Sequence, residues 1–566
     1  MNQNPIVFLF KKLWRFSDSN RKYIILFMAM SFVAQGINLL NPLLLGLLVG
    51  EIQKYGVNPA TLPYLYGILT AFVVKEVLFW VFHGPSRMIE RVVAFSAAIS
   101  YRRYLLNGIL NLKLDWHTDH DSGDTIDKVA KAGDGFLQFS ENIFQIIHVV
   151  VRVLGTAAIL LWFSPWIGLS VLICILAAFR VVLLFDQRLI PQYQRLAELA
   201  NKASASVFDA LSNITTVKIL SIERPIHNGI MTRFEASRAL QKLNAYLNEW
   251  KWCTGILLFQ LIAVVPIGFY LHNQGASVDA GRVSTLFLYL LELFYAFFTF
   301  GSQYELITQW KTRMLNAEPI EQAFVGNTHI VRHHVGLWKN LKIKDLVFQY
   351  DDQQKLPHIN QLSIDIKRNE RIAIIGESGS GKTTFLKVLH GLYPNAKGLL
   401  QIDSLKSNQT SLGSLDLKTM LVPQEPEVFS STIRDNITLG LPYDDQTILD
   451  FAKLAAFDKI IAKLPKGLDS ITNEKGVNLS GGEKQRLALT RALLFAAEKD
   501  IILLDESTSS VDPKNERIIY ENLLKHFQNK TIIASIHKKH LLPLFDRVLE
   551  FKEGCLHRYQ SVERLV

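Results

Sequence analysis

The sequence predicts an all-α membrane domain of six transmembrane helices fused to a cytoplasmic α/β nucleotide-binding domain of the P-loop kind. Three observations carry this. Residues 1–315 are a series of long apolar stretches separated by polar segments. From about residue 340, short apolar runs alternate with helix-compatible ones, the pattern of a parallel sheet with crossover helices. Within that second part, a Gly-rich loop ending in Lys and Thr follows an apolar strand. The chain has 566 residues, 49% hydrophobic and only 20% charged, a balance that suits a membrane protein of more than one domain.

Six spans are predicted, at 22–49, 62–88, 138–163, 166–190, 250–272 and 283–308, each near or above the ~20 residues needed to cross a bilayer. Short polar turns lie at Glu51 to Pro59, Ser164-Pro165 and His272 to Arg282. Two long polar segments, 89–135 and 191–248, are rich in Lys and Arg. The positive-inside tendency places both of them, and both termini, in the cytoplasm. Few glycines or prolines interrupt them, so the helices are expected to run on into the cytosol. The segment Ile6 to Phe16 reads as an amphipathic helix lying at the membrane interface.

The formal net charge of +10 comes from basic residues beside apolar spans, which argues for cytoplasmic loops and against nucleic-acid binding. Cys174, Cys253 and Cys555 are far apart, with no CxxC, so neither a zinc site nor a disulfide scaffold is supported. No cleavable signal or targeting pattern stands at the N-terminus, and a bacterial inner or plasma membrane is expected, with the nucleotide domain in the cytoplasm.

Gly376-Glu377-Ser378-Gly379-Ser380-Gly381-Lys382-Thr383-Thr384 follows Ile372 to Ile375. The glycines let successive N–H groups point at one anion. Lys382 supplies charge for the β- and γ-phosphates, and Thr383 a hydroxyl for Mg²⁺. Ile501 to Leu504 is an apolar strand ending in Asp505-Glu506. In such a site the first acid holds Mg²⁺, partly through water, and the second polarises the attacking water.

Leu479-Ser480-Gly481-Gly482-Glu483 resembles the signature of ATP-binding cassette (ABC) transporters, with Glu483 in place of the usual Gln. The resemblance extends, in order, over most of the last 230 or so residues. It implies that Tyr350 stacks on adenine and that Gln424 senses Mg²⁺ and the γ-phosphate. It also implies that Ser480, Gly481 and Gly482 face the nucleotide of an opposed subunit, that Asp512 acts across the same interface, and that His537 bonds the γ-phosphate. The exporter loop before the signature is matched by Asn473-Glu474-Lys475-Gly476. The layout of the membrane part resembles half-size exporters of the lipid-flippase and multidrug type, the type IV fold. Asp115 to Asp124 and Asp209 to Glu223 stand where such exporters carry coupling helices.

Division into a membrane domain (1–315), a linker (316–339) and a cassette (340–566) is expected. So are ATP and Mg²⁺ as cofactors, and a second copy or a related half-transporter as partner. The implied function is ATP-driven export, or leaflet-to-leaflet flipping, of an amphipathic small molecule, lipid or peptide. An ATP-gated channel, a regulatory subunit or an importer is the alternative.

Charged residues inside a bilayer face a partner or a wet cavity. Lys75, Glu76, Arg152, Arg180 and Glu292, with Asn38 and Gln260, all lie ~15–21 Å below the outer surface at ~1.5 Å per residue. They form a polar belt. Two readings stand: ion pairs such as Glu76–Arg152 holding helices together, or a cavity for a cargo with an anionic head.

Overall fold

A computed structural model describes residues 4–274, 278–326, 333–334, 338–350, 357–393, 396–403, 415–416, 418–472 and 479–561. The chain divides into two compact units, Met1–Asn327 and Thr328–Val566.

The first unit is helical: α1 (Pro5–Phe16), α2 (Arg21–Asn38), α3 (Asn41–Tyr55), α4 (Leu62–Leu110), α5 (Leu114–Asp119), α6 (Ser122–Ser140), α7 (Ile143–Phe163), α8 (Pro165–Ser212), α9 (Ile214–Ile219), α10 (Glu223–Glu235), α11 (Arg238–Gln274), α12 (Ala280–Leu315) and α13 (Glu318–Gly326). Among the described residues, five helical stretches are long and apolar enough to cross a membrane: Asp18–Tyr55, Leu62–Leu110, Ser122–Phe163, Glu223–His272 and Ala280–Phe324. The fourth expected span lies inside the 48-residue α8. At 1.5 Å per residue α4 and α8 are each roughly 70 Å long, over twice the ~30 Å hydrocarbon core. The short helices α5 and α9 sit at the far ends of α4 and α8, where the two coupling segments are expected.

One expectation needs correction. The Ile6 to Phe16 helix does not give its apolar face to lipid. Leu9 and Leu13 are buried in one cluster with Phe27, Tyr101, Phe136 and Trp310, because the stripe at i, i+4 meets an equally apolar wall of α4, α6 and α12. Within residues 316–339 lies α13, whose Glu321 accepts from Tyr101 Oη (2.8 Å) and from Lys12 Nζ (2.6 Å).

Glu90 has no exposure. Its Oε1 accepts the Phe144 N–H (2.9 Å) in the first turn of α7, where the residue before the helix provides no side-chain cap. Arg87 pairs with the same carboxylate and lies 3.6 Å over the Phe144 ring. An anion at a helix N-terminus, neutralised by a stacked guanidinium, is the arrangement that makes a buried carboxylate tolerable.

Helices α3 and α12 approach closely through Gly46 and Gly281. A Cβ on Gly281 would fall 2.4 Å from the Gly46 carbonyl oxygen, which is why small residues stand there. Tyr289 Oη closes the contact by donating to Leu39 O (2.7 Å). Gly281→Val should part these helices and cost about 1–3 kcal/mol, read as a lower Tm of the solubilised protein. An unchanged Tm would mean the contact has slack that the geometry does not show.

The second unit is α/β. Its strands are β1 (His333–His334), β2 (Asn340–Phe348), β3 (Ile359–Lys367), β4 (Arg371–Gly376), β5 (Lys397–Ile402), β6 (Leu415–Asp416), β7 (Thr419–Val422), β8 (Ile501–Asp505), β9 (Thr531–Ser535), β10 (Arg547–Lys552) and β11 (Cys555–Ser561). Its helices are α14 (Lys382–Leu389), α15 (Ile433–Thr438), α16 (Asp445–Leu454), α17 (Asp458–Ile461), α18 (Gly481–Phe495) and α19 (Pro513–His526). One sheet runs β11-β10-β4-β9-β8-β7, parallel except for the β10–β11 hairpin, and a three-stranded antiparallel sheet runs β3-β2-β5. Strands β8 and β9 are buried at every position, as unbroken aliphatic runs in a sheet covered on both faces must be.

Candidate functional site

The site is built where β4, β8 and β9 end. Ile374 pairs with Ser535, and Ser535 with Asp505, so the loop after β4, the acids after β8 and the histidine after β9 emerge side by side. Gly376 must be glycine: an added Cβ would lie 2.4 Å from Phe551 O. Gly379 and Gly381 have φ +80° and +99°, values that only glycine adopts without strain. Lys382 is buried, and its ammonium donates to Gly376 O (2.9 Å) and Glu377 O (3.0 Å). The loop's own carbonyls therefore hold that charge over the cradle. Helix α14 starts at Lys382, so its positive end faces the same point.

Thr383 Oγ1 donates to Asp505 Oδ1 (3.0 Å). Burial, above all, raises the Asp505 pKa; the neighbouring Glu506 pushes the same way, while the Thr383 hydroxyl, Lys387 and Lys382 oppose it. Glu506 is mostly buried and held from two sides. Gln424 Nε2 donates to its Oε2 (2.9 Å), and His537 Nε2 lies 2.6 Å from its Oε1. Its backbone is left-handed, φ +46°, a conformation that costs a non-glycine residue about 1–3 kcal/mol and concentrates at functional sites. Thr383, Asp505 and Gln424 offer hard oxygen donors, the chemistry Mg²⁺ selects.

Tyr350 is partly exposed, edge-on to Phe348, His358 and Tyr393, and its hydroxyl lies 3.2 Å from Thr384 Oγ1. An open aromatic beside the phosphate loop suits base stacking. Ser378 and Ser380 lie in the loop, Ser380 buried.

The signature residues open α18. Ser480 is the N-cap, and Glu483 completes a capping box. Ser480 N donates to Glu483 Oε2 (2.8 Å), and Glu483 N donates to Ser480 Oγ (3.3 Å). Either Glu or Gln can complete such a box, so the departure from Gln keeps the cap. The Ser480 N–H is the leading cause that lowers the Glu483 pKa. Gly482 approaches Ser510 so closely that a Cβ would lie 2.7 Å from Ser510 O. Asp512 caps α19 through the Asn515 N–H (3.1 Å). Asn473 to Gly476 lie outside the described residues.

Sequence reading missed Gln485 as a connector. Its Nε2 donates to Ser509 Oγ (2.8 Å) and Gln424 O (3.3 Å), and its Oε1 accepts from Ser510 N (2.8 Å). One amide thus joins the signature helix, the Gln424 loop and the segment after Glu506. Arg491 does the same one turn and a half further on, donating to Asn436 O (2.6 Å) and Glu427 O (3.0 Å). The only signal in the sequence was polar residues on the buried side of an otherwise apolar helix.

In the membrane unit the proposed belt resolves into pairs. Lys75 Nζ donates to Glu76 Oε2 (2.7 Å), Asn38 Oδ1 (3.1 Å) and Asn41 Oδ1 (3.0 Å). Arg152 pairs with Glu292 (2.6 Å). The Glu76–Arg152 pair suggested by depth does not form, because depth fixes height in the bilayer but not the rotation of each helix. Arg180 is exposed on α8 and, among the described residues, has no ion pair; Gln260 is exposed too.

Residues 24–297 match the family model described as the ABC transporter transmembrane region, and residues 359–509 the model described as ABC transporter. ATP-binding cassette sub-family B member 6 of Mesocricetus auratus is 27% identical over 479 residues, 80% of this chain and 54% of that protein. Heavy metal tolerance factor 1 of Caenorhabditis elegans is 26% identical, over 80% of this chain and 57% of its own length. The chain spans about half the length of the curated relatives it matches. A bacterial Atm1-family ABC exporter with ATP bound has the same fold, with TM-score 0.82 and 21% identity over 96% of both chains.

Glu483→Ala removes half of the capping box and should cost about 0.3–1.5 kcal/mol, whereas Glu483→Gln, which keeps an acceptor, should melt near the wild type. The lowered Glu483 pKa fixes the sign with pH. Its contribution is present above the unfolded carboxylate pKa and fades as pH falls through the folded value. Thermal melts of the three proteins at neutral and acid pH check this; an Ala variant that melts like the wild type at neutral pH removes the box from the account.

Proposed function

The chain belongs to the ABC transporters, and we propose that it is an ATP-driven exporter, moving an amphipathic cargo outward or between leaflets by alternating access. The observation that supports this reading best is Glu506, fixed between Gln424 and His537 beside a complete phosphate loop in a chain that also carries the membrane helices. The loop and Lys382 bind the phosphates. Glu506 orients and polarises the attacking water, and His537 holds the γ-phosphate. Mg²⁺, held by Thr383, Asp505 and Gln424, neutralises phosphate charge when bound. Two copies would oppose their signature residues Ser480, Gly481 and Gly482, with Asp512, across two nucleotides, and α5 and α9 would carry the motion to the membrane helices. An intact Glu506 weighs against a gated channel or a regulatory subunit.

For the cargo path the reading takes the more buried charges, Lys75, Arg152 and Glu292. Lipids, drugs, peptides and metal–thiol conjugates stand as cargo classes, and the likeness to a protein named heavy metal tolerance factor 1 supports a metal-containing cargo.

ATP hydrolysis in lipid nanodiscs, against Glu506→Gln, should fall by about 10²–10⁴-fold in the variant, and one cargo class should stimulate the wild type. Hydrolysis that Glu506→Gln leaves intact would sink the assignment of the base. Native mass should be near twice 64.3 kDa; an ATP-hydrolysing monomer would sink the dimer. Arg152→Ala should abolish cargo stimulation while leaving basal hydrolysis; stimulation and transport as in the wild type would take Arg152 out of the cargo path.

A further inference from the structure

Two membrane-helix faces in this chain are apolar, exposed, and each interrupted by one charge. On α4 the face is Leu69, Val73, Glu76, Val77 and Trp80, at i, i+4, i+7, i+8 and i+11. Its apolar members are 47–65% exposed, and the Glu76 side chain is 53% exposed. On α8 the face is Leu169, Ile173, Leu176, Arg180 and Leu184, at i, i+4, i+7, i+11 and i+15. Its apolar members are 47–64% exposed, and Arg180 is exposed as well. At 100° per residue each set lies on a single stripe.

The two charges are opposite and stand at one depth. Helix α4 starts at Leu62 and α8 at Pro165, both at the outer side by the charge distribution of the loops. Glu76 and Arg180 therefore lie about 14 and about 15 residues in, some ~21–23 Å down each helix. A guanidinium exposed to hydrocarbon near mid-membrane is costly and demands a partner. Among the described residues this chain offers Arg180 none. Glu76 is half-satisfied: Lys75 engages Oε2, while its own ammonium is completed by Asn38 and Asn41. Each face thus lacks what the other presents.

We propose that these two faces dock on each other between two copies of this chain, Arg180 of one protomer donating to the Glu76 carboxylate of the other. A two-fold axis makes the contact twice, so the dimer gains two intramembrane ion pairs and covers both apolar stripes. The surface is specified by charge: two α4 faces would set Glu76 against Glu76, and two α8 faces Arg180 against Arg180, so only the α4–α8 match is complementary. Glu76 and Arg180 then leave the cargo path and become determinants of assembly. This rests on the dimer reading above.

The test uses the full chain in nanodiscs, with Cys174, Cys253 and Cys555 replaced by Ala and both Glu76→Cys and Arg180→Cys introduced. A short bis-methanethiosulfonate linker is applied without nucleotide, and again with ATP in the Glu506→Gln background, while native mass is measured on the same samples. The expected result is a covalent dimer in at least one nucleotide state, absent from either single-cysteine protein. A dimeric protein that the linker joins in neither state overturns this contact and leaves the dimer standing; a monomer overturns both. A second measurement does not depend on cysteines: a double-mutant cycle of Arg180→Ala and Glu76→Gln on dimer dissociation. Non-additive losses support the pair, and additive losses overturn it.

Discussion

Everything chemical in the cassette depends on the register of three parallel strands. Ile374, Ser535 and Asp505 lie in one row across β4, β9 and β8. Because side chains alternate with a period of two, a slip of one residue in any strand would turn its terminal group to the other face. Asp505 would then leave Thr383, and His537 would leave Glu506. The slip is blocked by the strands themselves. Ile501 to Leu504 and Thr531 to Ser535 are buried at every position, so both faces are specified and no register leaves them equally packed. Gly376 adds a stop at the third strand, where the backbone passes too close to Phe551 for a side chain.

In the membrane unit the governing constraint is neutralisation of charge. Lys251 is almost wholly buried, 3.4 Å from Asp186 and 3.6 Å from Glu305, and so ties α8, α11 and α12 together. Tyr193 donates to the same Glu305 (2.7 Å). Removing one partner from such a group leaves an uncompensated buried charge, which is far more costly than the intact group is stabilising. These ties work by preventing other helix rotations rather than by adding much net stability. Glu90 at the start of α7 works in the same way, with a helix terminus as one of its partners.

The parts of this protein legible in the sequence are those encoded by contiguous residues. The Gly-rich loop between β4 and α14, the acids at the end of β8 and the signature residues that open α18 are short strings, and each lies on the local element its string implies. The long helices were legible because span length and basic loops are one-dimensional properties. What escaped is pairwise. Nothing in the sequence joins Lys251 to Asp186, and only the fold shows that they meet. Arg152 and Glu292 were placed at a common depth but not joined, since nothing local sets which face of α7 turns to which face of α12. Gln485 stands two residues after the signature string, yet its three hydrogen bonds go to loops 24 to 61 residues away. The left-handed backbone of Glu506 has no sequence signal either, because it is imposed by what holds the side chain.

The buried carboxylates of the membrane unit and Glu506 differ in the kind of partner they have. Glu76, Glu90, Glu292, Asp186 and Glu305 each engage a Lys or Arg side chain. A carboxylate tied to a full cation has much of its charge compensated. Glu506 is held instead by an amide and an imidazole, which together use two of about four acceptor positions on its oxygens. It is fixed in place with acceptor capacity to spare. Asp505, one residue earlier, is tied by a hydroxyl, and burial raises its pKa, so it gains most from a nearby cation. Adjacent acids on one strand end are thus differentiated by their neighbours.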